Sequence, residues 1–234
     1  MNTNKKGYRR NKTTEPLKRE SERDKIGSYL WNKNLRDYAL YYFMLNTGRR
    51  ISDALKLDVK DVAFMDKSGK FCIAERLKIY EKKTGKYANI LINNTARRAL
   101  KKYLMTRKKQ SRLTGKSTAE FLREPLFSSQ KPRRNGEKRL TEPSAWRIFN
   151  GAAKNCGICW KIGTHSLRKT CGYLLYERGT SIELIQKIFN HSSPEITLSY
   201  IGIMQENIDE AFLSLEGHSN FYENQRFRRE QINF

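Results

Sequence analysis

The stretch Asn190-His191-Ser192-Ser193-Pro194-Glu195-Ile196-Thr197-Leu198-Ser199-Tyr200 decides how the chain is read. Ser193 is a suitable N-cap, Pro194 fits a first helical position and Glu195 suits a first turn, so a short helix is predicted from about Pro194. Tyr200 then falls near its end, nine residues after His191 and just before Ile201-Gly202. A tyrosine so placed is ordinarily a packing residue, and what changes its reading is the set of residues upstream.

The chain has 234 residues, 38% of them hydrophobic, enough for one sizeable core. Its formal net charge is +23. That balance points to a polyanionic partner, most simply double-stranded DNA. No run approaches transmembrane length and the N-terminus is too polar for a signal peptide, so no membrane association is expected. The four cysteines, at 72, 156, 159 and 171, do not make a disulfide framework, which points to a reducing, cytoplasmic setting. Cys156-Gly-Ile-Cys159 has no second pair at metal spacing, so reduced core cysteines are expected and no metal or cofactor.

Residues 1–16 read as a flexible basic arm. Helices are expected over Leu17–Trp31, Leu35–Asn46 (ended by Thr47-Gly48) and Ile51–Leu55. Phe71–Ile79 and Tyr87–Ile92 are strand-like and flank Glu81-Lys82-Lys83-Thr84-Gly85-Lys86, which makes a hairpin with a basic tip. A helix follows over Asn94–Arg107. The stretch Arg97–Lys116 carries no acidic residue, and Arg97, Arg98 and Lys101 at its start are expected phosphate contacts. Residues 108–118 and 128–140 read as polar loops. Further helices are expected over Pro143–Asn155 with Thr141 as cap, from His165 to Arg178 with Gly179 as stop, over Ser181–Phe189, and over Asn207–Leu215. The fold class is mainly α with one small antiparallel sheet.

Three segments concentrate the chemistry. Thr47-Gly48-Arg49-Arg50-Ile51-Ser52-Asp53 sets arginines at a helix start. His165-Ser166-Leu167-Arg168 sets a histidine and an arginine three apart, on one helical face. His191 and Tyr200 add an imidazole and a hydroxyl nucleophile. Such a set suits phosphoryl transfer without a metal. Two guanidiniums can clamp the non-bridging oxygens of a phosphodiester and stabilise a pentacovalent transition state. A tyrosine can attack phosphorus, a lysine can protonate the leaving oxygen, and a histidine can share the nucleophile's proton.

In order and spacing these motifs resemble the catalytic domain of the tyrosine recombinase (phage integrase) family, over about residues 17–216. The resemblance implies that Arg50 and Arg168 clamp the phosphate, Lys83 is the general acid, His165 and His191 are the site histidines, and Tyr200 is the nucleophile forming a 3′-phosphotyrosine. Asp53 matches the family's supporting acid, and Asn190 stands where the family has Gly, whose left-handed conformation Asn tolerates. Arg49 stands where the family has an apolar residue, and is expected to be a surface cation or a DNA contact. Lys82 and Lys86 flank Lys83 and are expected DNA contacts. The implied activity is site-specific DNA cleavage and rejoining without metal or ATP, by a protein that is monomeric in solution and tetrameric on DNA. An accessory DNA-bending protein and a nucleoid-associated location go with it. The family's N-terminal core-binding domain has no counterpart here, as in short stand-alone bacterial integrases or in a truncated chain. Residues 217–234 are a tail that can pack in trans, with Phe221, Tyr222 and Phe227 as anchors. Two other readings stay open: a catalytically silent DNA-binding regulator of a mobile element, and a relaxing activity resembling type IB topoisomerases.

Overall fold

The computed structural model describes residues 14–81, 85–132, 134, 136–203, 209 and 212–215. The basic arm up to residue 13, Lys82 and Lys83, four of the nine residues of the helix expected over Asn207–Leu215, and the tail 217–234 lie outside the described residues. The chain divides into two compact units, one ending at Ser181 and the other beginning at Ile182.

In the first unit the central element is α2 (Leu35–Thr47). It packs against α1 (Glu20–Lys33), α4 (Asn94–Leu113) and α7 (Thr164–Glu177). Asn34 caps α2 by accepting from the Arg36 amide at 2.9 Å, which satisfies one of the orphan donors of a helix start. Leu40, Tyr41, Phe43 and Met44 are all at most 1% exposed, so α2 is buried on nearly every side. A fully buried Leu or Phe stabilises a fold by roughly 2 kcal/mol, and this helix supplies several. Helix α4 shows the expected apolar face: Ala96, Ala99, Leu100, Tyr103 and Leu104 are buried at i, i+3, i+4 spacing. It runs to Leu113, six residues beyond the expected end. Helix α6 (Glu142–Asn155) starts as expected at Thr141, whose hydroxyl accepts from the Ser144 amide at 3.2 Å.

The fold class is the expected one, but the strands differ in detail. There are two two-stranded antiparallel sheets among the described residues, not one. The run Phe71–Ile79 divides into β2 (Phe71–Ile73) and β3 (Arg76–Tyr80). Strand β2 pairs with β1 (Ala63–Met65), which lies in a stretch too short to show strand periodicity. Strand β3 pairs with β4 (Tyr87–Leu91) in the register Tyr80↔Tyr87, the expected hairpin. The loop expected over 108–118 also hides structure. Ser117 and Glu120 form a reciprocal capping box that opens the short helix α5 (Thr118–Leu122).

Several basic residues of the acid-free stretch hold the fold together. Arg107 donates to the Pro125 and Leu126 carbonyls at 2.8 and 3.0 Å and pairs with Glu124 at 2.6 Å. Lys108 is 7% exposed and lies over the Phe71 ring. In the loop after residue 128, Arg139 donates to the Leu55 and Leu57 carbonyls and to Asp58. Cys159 is exposed, not in the core as expected. No helix among the described residues is long and apolar enough to cross a membrane.

In the second unit, α8 (Ile182–Phe189) and α9 (Pro194–Ile201) pack on each other. The predicted caps of α9 are present: the Ser193 hydroxyl accepts from the Ile196 amide at 3.3 Å, and Gly202 closes the helix at φ 78°.

Candidate active site

The Thr47-Gly48 turn organises the candidate residues of the first unit. Gly48 ends α2 at φ 60° and donates its amide to the Met44 carbonyl at 3.0 Å. Left-handed backbone here favours a residue without Cβ. The turn leaves the Gly48 carbonyl as an acceptor for Nη1 of Arg168 on α7. Arg168 is 2% exposed and ranks among the largest buried side chains. The chain then extends through Arg50 (φ −67°, ψ 145°) into α3 (Ile51–Ala54). One residue pair thus ties both expected clamp arginines to a single turn: Arg50 by sequence, Arg168 by a hydrogen bond.

Arg49 departs from expectation. It is 2% exposed, not a surface cation, and so cannot meet DNA as it stands. Its Nη1 lies 2.6 Å from Oε1 of Glu81 and its Nε donates to the Thr47 carbonyl at 3.1 Å. Oε2 of the same Glu81 lies 2.9 Å from Nη1 of Arg50. Asp53, 5% exposed, adds a second carboxylate to the field around Arg49. Cys171, one turn after Arg168 on α7, is buried, and burial pushes its thiol up to about 11 against the pull of Arg49 and Arg168. That thiol stays protonated and unreactive near neutral pH.

His165 lies half-buried one turn before Arg168. Burial first, then the charges of Arg168, Lys169 and Arg50, hold its imidazole below the ordinary histidine range. The ring is therefore neutral at pH 7, able to accept a proton. Because the folded value is depressed, the unfolded chain binds the extra proton more readily. The contribution of His165 to stability is complete above about pH 6.5 and declines as pH falls below it. In a proton-detected titration, the His165 ring of the free protein is expected to titrate below pH 6.5, and a bound DNA phosphate to move it upward by neutralising the guanidiniums. A midpoint at or above 6.5 in the free protein would contradict this.

The second unit supplies a compact group of its own. Asn190 takes the predicted left-handed conformation, φ 54°. The turn is closed by the His191 amide on the Gln186 carbonyl at 3.1 Å and by Nε2 of Gln186 on the His191 carbonyl at 3.2 Å. Nδ1 of His191 lies 3.2 Å from Oγ1 of the buried Thr197, and that hydroxyl donates to the Ser193 carbonyl at 3.1 Å. Oγ1 of Thr197 is thereby shared between the Ser193 carbonyl and Nδ1 of His191, which fixes the orientation of the imidazole. Tyr200 sits edge-on to His191 with ring centroids 4.9 Å apart, and Phe189 lies 5.5 Å from His191 and 5.9 Å from Tyr200.

Arg98 and Lys101 are exposed and Arg97 is half-buried, 3.6 Å from Glu75. Together with Lys70 they line a shallow cleft on the flank of α4. Lys86 is exposed beside the hairpin turn. Two participants were not singled out from sequence. Thr197 shows in the chain only as a polar residue on an amphipathic helix. Glu81 carries a weak signal, as an acid at the base of a hairpin otherwise rich in lysine.

The phage integrase family model matches residues 19–206. A probable integrase/recombinase, YoeC, of Bacillus subtilis (strain 168) is 37% identical over 198 residues, which cover 85% of this chain and 94% of that protein. Tyrosine recombinase XerD of Corynebacterium glutamicum is 30% identical over 179 residues, 76% of this chain and 52% of that protein. The chain thus spans nearly the whole of the first relative and about half the length of the second. The crystal structure of XerA recombinase superposes with a TM-score of 0.62 at 21% identity, over 86% of this chain and 66% of that one, a likeness of fold.

Proposed function

This chain belongs to the phage integrase family, and on that premise we propose that it cuts and rejoins double-stranded DNA at specific sites through a covalent 3′-phosphotyrosine at Tyr200. The observation that carries the reading is the pair of guanidiniums fixed through one turn, Arg50 and Arg168, with a neutral histidine, His165, in their field. Two such cations offer bidentate donors to one phosphodiester and stabilise charge that builds on its non-bridging oxygens.

The phenolic oxygen of Tyr200 attacks phosphorus, its proton passing to a site histidine. The bond from phosphorus to the 5′-oxygen breaks, and that oxygen takes a proton from Lys83, the residue matching the family's hairpin lysine. The new phosphotyrosine keeps the energy of the phosphodiester. A 5′-hydroxyl of another strand then attacks it and releases the tyrosine, so neither ATP nor a metal enters. The net charge of +23 supports phosphate contacts by the N-terminal arm and by Lys82, Lys86, Arg97, Arg98 and Lys101. Exchange between two duplexes cuts four strands, which calls for four protomers, each supplying one tyrosine. We read the chain as a monomer in solution that forms this tetramer on DNA, in the cytoplasm at the nucleoid, with an accessory DNA-bending protein where the site must be folded.

The test is covalent capture. Duplexes with random sequence and a nick near the cleavage point release a short 5′-hydroxyl fragment when cut, which prevents rejoining. The wild-type chain is expected to accumulate a denaturation-resistant protein–DNA adduct on a defined subset of these duplexes. Sequence-selective binding without any adduct would instead establish a catalytically silent regulator.

A further inference from the structure

The mechanism above makes no use of Glu81, the most deeply buried carboxylate among the described residues. Glu81 follows β3, and its side chain is 0% exposed. Its backbone is fixed by the hairpin: the amide donates to the Lys86 carbonyl at 3.0 Å and the carbonyl accepts from the Gly85 amide at 2.8 Å. Its two carboxylate oxygens go to different arginines, Oε1 to Arg49 at 2.6 Å and Oε2 to Arg50 at 2.9 Å. A buried ion pair is weak evidence for stability, since desolvation of both partners offsets the Coulombic gain. Geometry gives this one a different use. Arg49 is held at Nε by the Thr47 carbonyl and at Nη1 by Glu81, so it is a rigid strut. The strut fixes the carboxylate, and the second oxygen fixes Arg50, whose side chain keeps 16% of its exposure against 3% for Arg49.

We propose that Glu81, braced by Arg49, is a positioning residue that sets the guanidinium of Arg50 for the scissile phosphate before DNA arrives. A clamp so arranged needs no reorganisation during reaction, which is where preorganised donors gain their effect. The carboxylate also relieves repulsion among Arg49, Arg50 and Arg168, three guanidiniums brought to one turn. This inference rests on the function proposed above for its kinetic consequence, while the positioning itself is observable without DNA.

Glu81→Gln keeps the shape and removes the charge. On the nicked phosphate substrate, adduct formation is expected to slow by about 10–100-fold, as for other residues that orient a reacting group. Replacing one non-bridging oxygen of the scissile group by methyl gives a neutral methylphosphonate, which depends less on an arginine clamp. On that substrate the Glu81→Gln defect is expected to shrink to within about threefold of wild type, in parallel with Arg50→Ala. Adding Glu81→Gln to Arg50→Ala is expected to cost little more than Arg50→Ala alone, because one acts through the other. An equal loss on both substrates, no loss on phosphate, or multiplied losses in the double variant would overturn the proposal. Nitrogen-15 spectra of the free protein give the independent readout: the Arg50 Nη1–H signal is expected to be slowly exchanging in wild type and to broaden or vanish in Glu81→Gln. An unchanged signal overturns the positioning role. A lost signal with no wild-type adduct on any duplex instead sinks the proposed reaction and leaves the positioning intact. Should Glu81→Gln fail to fold, Glu81→Asp serves both readouts, since its shorter carboxylate cannot span the two arginines.

Discussion

Tyr200→Phe is expected to abolish the covalent protein–DNA adduct, a loss of about 10⁴-fold or more in the rate of strand cleavage. The change deletes one hydroxyl and leaves the ring, so the edge-on contacts with His191 and Phe189 persist. Unfolding should therefore move by less than about 1 kcal/mol, within the range of a substitution that removes no packing. DNA affinity should also hold, because no cation is touched. Seven other tyrosines among the described residues divide into two groups. Burial raises the phenols of Tyr38, Tyr41, Tyr42 and Tyr103 above their ordinary value, which makes them poor nucleophiles. Tyr80, Tyr87 and Tyr176 are exposed and serve as controls. Their Phe variants should form the adduct at the wild-type rate. An adduct from Tyr200→Phe, seen on a denaturing gel with the nicked duplex, would move the nucleophile elsewhere.

Arg168→Ala should produce two separable losses. The first is catalytic: removal of a preorganised donor to the developing charge slows cleavage by about 10³-fold. The second is structural. Arg168 is 2% exposed and donates to the Gly48 carbonyl, so its removal leaves a cavity and a buried acceptor without that donor. About 3 kcal/mol of folding stability should go with it. Arg168→Lys keeps a charge but loses the planar fork, and is expected to fall between wild type and Ala in both measures. Denaturant unfolding and adduct kinetics, measured at a temperature where every variant is folded, separate the two. If the cleavage rate drops only in proportion to the unfolded fraction, Arg168 is a structural residue and the clamp reading fails for it.

Much of this was legible in the chain because the information is local. Ser193, Pro194 and Gly202 mark the two ends of a helix by backbone chemistry, and Asn190 marks a left-handed turn. Thr47-Gly48 ends α2 for the same reason. The apolar spacing of Ala96, Ala99, Leu100, Tyr103 and Leu104 shows which face of α4 is buried. Strand β1 was not legible, since three residues carry no usable period and Ala63–Met65 becomes a strand only by pairing with Phe71–Ile73. The capping box at Ser117 and Glu120 was present in the sequence and lay within a stretch whose charge suggested a loop.

Charge was the least reliable local signal. Arg49, Arg107 and Arg139 look alike in sequence to Arg98 or Lys101, yet the first three are bound to carboxylates and carbonyls of distant segments. A basic residue is a DNA contact or a structural brace according to what faces it, and for these three that depends on partners 17 to 84 residues away.

The sequence by itself determined the helices around Gly48, His165 and Tyr200 and the mainly helical class, because caps, turns and periodicity act within a few residues. Only the tertiary structure decided that Arg49 is buried, that Glu81 joins it to Arg50, that Arg168 hangs from the Gly48 carbonyl, and that the Thr197 hydroxyl meets Nδ1 of His191. The first three contacts span from 31 to 120 residues along the chain. The contact from Thr197 to His191 spans six, yet it depends on a turn and a helix start meeting at one hydroxyl. Hydrogen bonds and ion pairs of this kind act over a few ångströms of space whatever the separation in sequence, so they appear once the chain is folded.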